Sequence, residues 1–483
     1  MNMRNKLLKM RTLLSKVFLH EPYYLDATLA CFASKAHICL LGFRGGGKTH
    51  LMECILKTIE PKITCVAQGY LSAEIEDIFA RPDISKLTQG IEEVVFKKMV
   101  KARVKAFDEI QRLGVGALSS MFRLMTTGTI IYMDKESGVK PFWIIATANP
   151  TELSNDTLNI RLPEPLWDRF DAVLWIPIAK LKYLRKINGQ IERLKEALPT
   201  IWSENDLLQL WSEVESINVP KDIELIITLM CRIMGYCKYA QDFDASSLTE
   251  EQKRELCSKC SRNYTCSLIA RPPSVRAKMS LIRVAKGFAY LRGSNQVELI
   301  DVENAFPIVF WKRVKLMEDE QISNRLEALK DLFDKLKTEI MEVKEGIQLI
   351  NKLKQRFDED DYYRLKGFEN AKGWFTEVVE ELEDYYKELR DKLMSKFEKA
   401  NEVTKAKIYL IAKSKLPKEY ANEFYFDANV KVKLNTKMLA KIAKIDKNLF
   451  KMLKELYEQG NEQVTIYGEA ALMYLALIGG ESQ

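Results

Sequence analysis

Eight consecutive residues, Gly42-Phe43-Arg44-Gly45-Gly46-Gly47-Lys48-Thr49, fit the spacing G-x-x-x-x-G-K-S/T. Glycines at Gly42, Gly45, Gly46 and Gly47 let backbone N–H groups wrap phosphate oxygens, and the positive end of a following helix adds to that attraction. In such a loop Lys48 reaches the β and γ phosphates and the Thr49 hydroxyl holds magnesium. An acidic pair, Asp108 and Glu109, follows Phe107 at the end of a later strand-like segment. Asp108 is expected to complete the magnesium shell, and Glu109 to polarise the attacking water as general base. The plain alternatives are a glycine-rich turn and a surface pair of strand-end carboxylates.

Such a loop works only between a strand and a helix, and the first 190 residues supply that frame. His37–Leu41, 62–66, 103–107, 142–147 and 172–177 read as strands of four to six residues separated by helix-like segments. The alternation is that of a parallel sheet covered on both faces. Lys105 stands where an apolar residue is usual, and the alternation Val104, Ala106, Asp108 suggests that its side chain escapes towards an edge. From about 190 to 315 strand signals vanish and a helical lid is expected.

Beyond 320 the apolar period becomes a heptad through Leu329, Leu336, Val343, Ile350 and Phe357, which predicts one long coiled-coil helix. A second stripe, Phe368, Phe375, Leu382, Leu389 and Leu393, predicts its antiparallel partner. The resulting domain boundaries are 1–188 for the α/β core, 189–315 for the lid, 316–400 for a coiled-coil hairpin and 401–483 for a small mixed module.

Of 483 residues, 47% are hydrophobic and 29% charged, which excludes a disordered or collagenous chain. No apolar run reaches the roughly 18 residues of a membrane span, and no export signal is evident, so a cytoplasmic protein is expected. Residues 1–20 carry five Lys/Arg and no acid, most of the net +7; the other local excess is 401–450, with eleven Lys against five acids. This division makes the charge argument for nucleic acid weak. Cys237, Cys257, Cys260 and Cys266 form a cluster in a polar insertion, 237–266, whereas Cys31, Cys39, Cys54 and Cys65 lie on apolar stretches. A C-x-x-C with two further cysteines has structural-zinc character; an iron–sulfur cluster and plain or disulfide-linked thiols are the alternatives.

Four strings in order, Gly42–Thr49, Lys105-Ala-Phe-Asp-Glu-Ile-Gln-Arg112, Phe142-Trp-Ile-Ile-Ala-Thr-Ala-Asn-Pro150 and Leu162-Pro-Glu-Pro-Leu-Trp-Asp-Arg-Phe-Asp171, together resemble the MoxR branch of the AAA+ ATPases over roughly residues 10–312. The added helical region is similar to that of the RavA subgroup. The resemblance implies an α/β P-loop AAA+ core with a parallel sheet, a helical lid and, here, a C-terminal helical hairpin. It implies that Asn149 is sensor 1, that Arg169 is an arginine finger reaching a neighbouring subunit's nucleotide, and that Arg276 is sensor 2, over the γ-phosphate. It also implies two hairpin insertions, within 88–98 and 129–141, lining a central pore. The function implied is Mg-dependent ATP hydrolysis in a ring, a hexamer, that remodels a protein client, with a von Willebrand factor A domain protein as partner. A nucleic-acid motor and a nucleotide-switched structural adaptor are the competing readings.

Overall fold

The structure is a computed structural model; it describes residues 2–70, 73–150, 162–260, 265–317, 324–371, 373–444, 446–461 and 463–478. The chain divides into two compact units, Met1–Ile340 and Met341–Gln483.

All five expected strands form, as β1 Ile38–Leu41, β2 Thr64–Gln68, β3 Val104–Asp108, β4 Trp143–Ala148 and β5 Ala172–Trp175. They make one parallel sheet in the order β2-β3-β4-β1-β5. Strands β1, β3, β4 and β5 are buried at every position, which is why apolar residues dominate them, with Lys105 on β3 the exception, whereas edge strand β2 is partly exposed. Two antiparallel pairs are appended, Ala80–Pro82 with Val94–Phe96 and Thr129–Tyr132 with Lys135–Gly138.

Helix α1, Met3–Val17, buries Met3, Leu7, Met10, Leu14 and Val17 along one stripe. Its basic face is in part neutralised: Lys6 pairs with Asp206, and Arg11 with Asp26 at 2.7 Å. Helix α2, Pro22–Ala33, leads into β1, and helix α3, Lys48–Lys57, leaves the P-loop. The lid is built from α4 Glu204–Glu215, α5 Lys221–Gly235, α6 Glu250–Lys259, α7 Arg276–Arg292 and α8 Leu299–Phe310. Helices α7 and α8 pack on each other, and α7 also packs on α2.

Lys105 does not escape to an edge. Its side chain is fully buried, and its ammonium donates to the carbonyls of Met99 (2.8 Å), Val100 (3.0 Å) and Ala102 at the end of the short helix Lys98–Lys101. The lysine occupies an apolar strand position because those orphan helix-end carbonyls need a donor. Burial brings its pKa down to about 7.

The C-terminal region is helical, but the single long coiled-coil helix is not continuous. Helix α9, Arg325–Met341, ends where Val343 leaves helical geometry, and α10, Lys344–Gln355, starts anew. The apolar stripe of α9 finds its partner in the first unit, where Phe333 meets Phe306 edge-on at 5.3 Å between ring centroids. In the second unit α10 packs with α11 Glu359–Ala371, α12 Phe375–Phe397 and α13 Glu402–Lys415 as a helical bundle. A small module follows: β6 Asn429–Lys433, α14 Thr436–Ala443, α15 Lys447–Glu458, β7 Gln463–Tyr467 and α16 Gly468–Ile478, with β6 and β7 antiparallel.

Candidate active site

The P-loop follows β1 at the carboxyl end of the sheet, beside the point where the strand order reverses, the usual ligand position in such folds. Gly42 lies so close to the next strand's exit that an added Cβ would come within 2.3 Å of the Ile176 carbonyl oxygen. Gly47 has φ +82°, the left-handed conformation that turns the loop into the first turn of α3.

Lys48 is buried, and its ammonium donates to the loop's own carbonyls, Gly42 O and Phe43 O, both at 2.8 Å. Burial lowers its pKa, while the nearby carboxylates of Asp108 and Glu109 act in the opposite sense. Thr49 Oγ1 donates to Asp108 Oδ1 at 2.9 Å, and Thr147 Oγ1 on β4 donates to the same oxygen. The Thr49 hydroxyl and Asp108 carboxylate thus form an adjacent pair of hard oxygen donors, a set that fits a magnesium ion.

Glu109 has φ +51°, rare for a residue with a side chain. Its N–H is held by Thr147 Oγ1 at 2.9 Å and its carboxylate by Arg112 at 3.0 Å. The turn after β3 therefore swings this carboxylate away from the line of the strand. Asn149, at the end of β4, donates its N–H to Gln111 Oε1 at 3.3 Å. Gln111 is fully buried, and its Nε2 has no hydrogen-bond partner. Sequence reasoning overlooked Gln111, although it sits two residues beyond Glu109.

It also overlooked an aromatic wall. The Phe18 ring lies 3.5 Å from where a Cβ on Gly47 would stand. His20 stacks on Phe18 and Tyr183 and meets Tyr24 edge-on at 4.6 Å, and its Nε2 donates to Pro177 O at 2.9 Å. Burial lowers the His20 pKa, so a neutral aromatic surface stands beside the phosphate loop. The run of His and Tyr at 20–24 was the available signal.

Arg169 and Arg276 lie elsewhere. Both line a cavity of about 710 Å³ together with Lys35, Lys140, Asp168 and Asp171, and no P-loop residue lines it. Arg276, expected over the γ-phosphate, here donates from its Nη1 to Asp168 Oδ2 at 2.9 Å, within a network that knits lid to core. Asp168 accepts also from Ser274, and Asp171 from Ser280 (2.8 Å) and Arg283 (2.7 Å), while Arg313 donates to the carbonyls of both aspartates. Burial pushes the Asp168 carboxyl up, but Ser274, Arg276 and Arg313 outweigh it and hold the carboxyl below its ordinary value. With both aspartates engaged by lid groups, Arg169 is paired with neither. It donates to Thr126 Oγ1 (3.1 Å) and Pro165 O (2.7 Å) and covers the Phe122 ring.

Cys237, Cys257, Cys260 and Cys266 line one small cavity of about 30 Å³. None of the nine cysteines forms a disulfide. The expected four-thiolate shell is not assembled: among the described residues no group of three or more His, Cys, Asp or Glu side chains stands ready to hold a metal ion. Burial pushes the thiols of Cys257 and Cys266 up, Cys266 to about 12, which keeps them protonated. Lys253 also lines the cavity; it is 1% exposed and its ammonium lacks a hydrogen-bond partner.

Residues 37–170 match the family model of the AAA domain, dynein-related subfamily. Among curated proteins the chain is similar to DNA replication licensing factor MCM7 of Arabidopsis thaliana, 21% identical over 314 residues, 63% of this chain and 41% of that protein. It is similar to DNA replication licensing factor MCM3 of Entamoeba histolytica, 21% identical over 316 residues, 57% of this chain and 51% of that protein. The chain spans about half or less of the length of these relatives. In three dimensions it resembles a candidate ATPase from Cytophaga hutchinsonii, with TM-score 0.53 and 20% identity over 69% of this chain and 94% of that one. The shared feature is the fold, an AAA+ P-loop core with a five-stranded parallel sheet. Among the described residues no helix is long and apolar enough to cross a membrane.

Proposed function

We propose that this chain, built on an AAA+ core, is a Mg-dependent ATPase whose catalytic sites are completed between subunits of a ring, a hexamer, of MoxR type. The observation that carries the reading is the separation of two half-sites. Lys48, Thr49, Asp108 and Glu109 gather at the P-loop, while Arg169 and Arg276 share a cavity that the P-loop does not enter. Each half lacks what the other holds.

In this reading the P-loop N–H groups and Lys48 bind the phosphates, Lys48 giving up its two carbonyl partners to do so. Bound magnesium would draw charge off the phosphates between Thr49 and Asp108. Glu109 takes the proton of the attacking water, and the Asn149 amide orients that water without adding charge. A neighbouring subunit's Arg169 and Arg276 stabilise charge on the transferring phosphoryl group. The Phe18–His20–Tyr24 wall receives the adenine ring by stacking.

The test is complementation. Mixed chains carrying Arg169→Ala or Glu109→Gln should regain ATPase activity, because some interfaces then combine intact Glu109 with intact Arg169. If the two chains are shown to exchange and activity stays absent, the trans assignment fails.

A protein client is the substrate of the motion in this proposal, with a von Willebrand factor A domain protein as partner; the exposed hairpin residues Ile131 and Met133 support contact with a client. Capture of partners by the ATP-trapped Glu109→Gln chain tests it. A second reading, a nucleic-acid motor, draws on the names of the curated relatives and requires that DNA stimulate turnover.

A further inference from the structure

Residues 429–454 hold eight lysines, Lys431, Lys433, Lys437, Lys441, Lys444, Lys447, Lys451 and Lys454, against one acid, Asp446. All eight are exposed. Elsewhere in the second unit basic side chains are balanced by acids, as in Lys354 with Glu381, Lys366 with Glu383 and Lys387 with Asp384. In the lysine-rich stretch Lys454 pairs with Glu458, whereas Lys431, Lys433, Lys437, Lys444, Lys447 and Lys451 meet no acidic partner among the described residues. An ordinary solvated face would mix the two signs.

The fold arranges this charge. Helices α14 and α15 pack on each other and are joined by three residues, 444–446, and Asp446 caps α15 through the N–H groups of Asn448 and Leu449. Two helices joined this tightly, flanked by the antiparallel pair β6–β7, have the connectivity of a helix-turn-helix unit. Each helix buries two residues, Leu439 with Ile442 and Leu449 with Leu453. The lysines fall at i, i+4 and i+7 on the other faces: Lys437 and Lys441 on α14 with Lys444 just past its end, and Lys447, Lys451 and Lys454 on α15, whose exposed acids, Glu455 and Glu458, lie at its C-terminal end. On β6, Lys431 and Lys433 point away from buried Val432.

We infer that this module docks on duplex DNA, with α15 in the major groove and the lysines of α14 and β6 on the phosphates. The second helix of such a unit enters the groove by its N-terminal end, and here that end carries Lys447, Asn448 and Lys451, all exposed and suited to phosphates and base edges. A major groove about 12 Å wide admits a helix, whereas the narrow major groove of A-form RNA does not. The surface lies in the second unit and stands independently of the ATPase reading; it gives the chain an attachment to DNA whatever its client.

The test uses the full chain and a fluorescein-labelled DNA duplex read by anisotropy, without nucleotide. Binding is expected at about 50 mM salt and should weaken steeply towards 200 mM, since each neutralised phosphate adds about −0.9 to the slope of log affinity on log salt. Lys447→Glu with Lys451→Glu should reduce affinity at least tenfold and flatten the slope. The neutral pair Lys447→Gln with Lys451→Gln should fall between. Basal ATPase and circular dichroism should be unchanged in both, which separates lost docking from lost folding. Lys48→Ala should bind the duplex as the wild type does, so failure of the ATPase reading leaves this result intact. The inference is overturned if the wild-type chain does not bind at low salt, or if the charge-reversed chain binds with the same affinity and slope. It is equally overturned if an RNA duplex or phosphatidylserine vesicles bind more tightly than the DNA.

Discussion

Thr49 on the P-loop and Asp108 at the end of β3 share a 2.9 Å hydrogen bond, although 59 positions separate them in the chain. Thr147 holds the same carboxylate oxygen from the other side. The parallel register of β1, β4 and β3 brings the three together before any ligand binds, so the phosphate loop and the acidic pair are one preorganised unit.

Lys48→Ala should abolish ATP binding, because no other ammonium lies within the loop. Glu109→Gln should bind ATP with near wild-type affinity while turnover falls about 100-fold or more, the range for removing a general base. Fluorescent-nucleotide titration and steady-state ATPase assays separate the two; equal loss of binding in both variants would remove Glu109 from the chemistry.

Asp168→Asn should act through the lid. It weakens the hold on Arg276 and Arg313 at once, and a partly buried carboxylate facing two guanidinium groups contributes about 1–3 kcal/mol. A melting temperature lower by several degrees is expected, together with reduced turnover and unchanged nucleotide affinity. Loss of nucleotide affinity with an unchanged melting temperature would contradict the role of Asp168 as a lid anchor.

Lys105 gives the fold a pH dependence with a definite sign. The folded chain releases this proton near pH 7, whereas the unfolded chain keeps it to about 10.4. Between those values the unfolded state binds more protons, so stability should rise with pH across that window and level off below 7. Urea midpoints measured from pH 7 to 9 should rise for the wild type and lose that component in Lys105→Met. A variant that keeps the full slope assigns it to another group.

The core was legible in the sequence because its chemistry is local. Strands buried on both faces are dominated by apolar residues, and a phosphate loop must string its glycines, lysine and threonine together, so β1, β3, β4 and β5 and Gly42–Thr49 could be read without coordinates. Asp108 and Glu109 were legible for the same reason, being strand-end residues in a fixed order. Tertiary structure alone decided what depended on distant partners. Lys105 stays inside the sheet because the carbonyls of Met99, Val100 and Ala102 need its donors. Arg276 is drawn to Asp168 and Arg169 is left with Thr126 and Pro165, a division that the motif Trp-Asp-Arg-Phe-Asp could not specify. The heptad beyond 320 described an apolar stripe truthfully, but a stripe does not name its partner, and Phe306 of the lid took the first part of it. The lysines after 430 read as a modest excess in the chain, and became a basic surface over α14 and the N-terminal part of α15 only when the two helices set their spacing against the 3.6-residue turn.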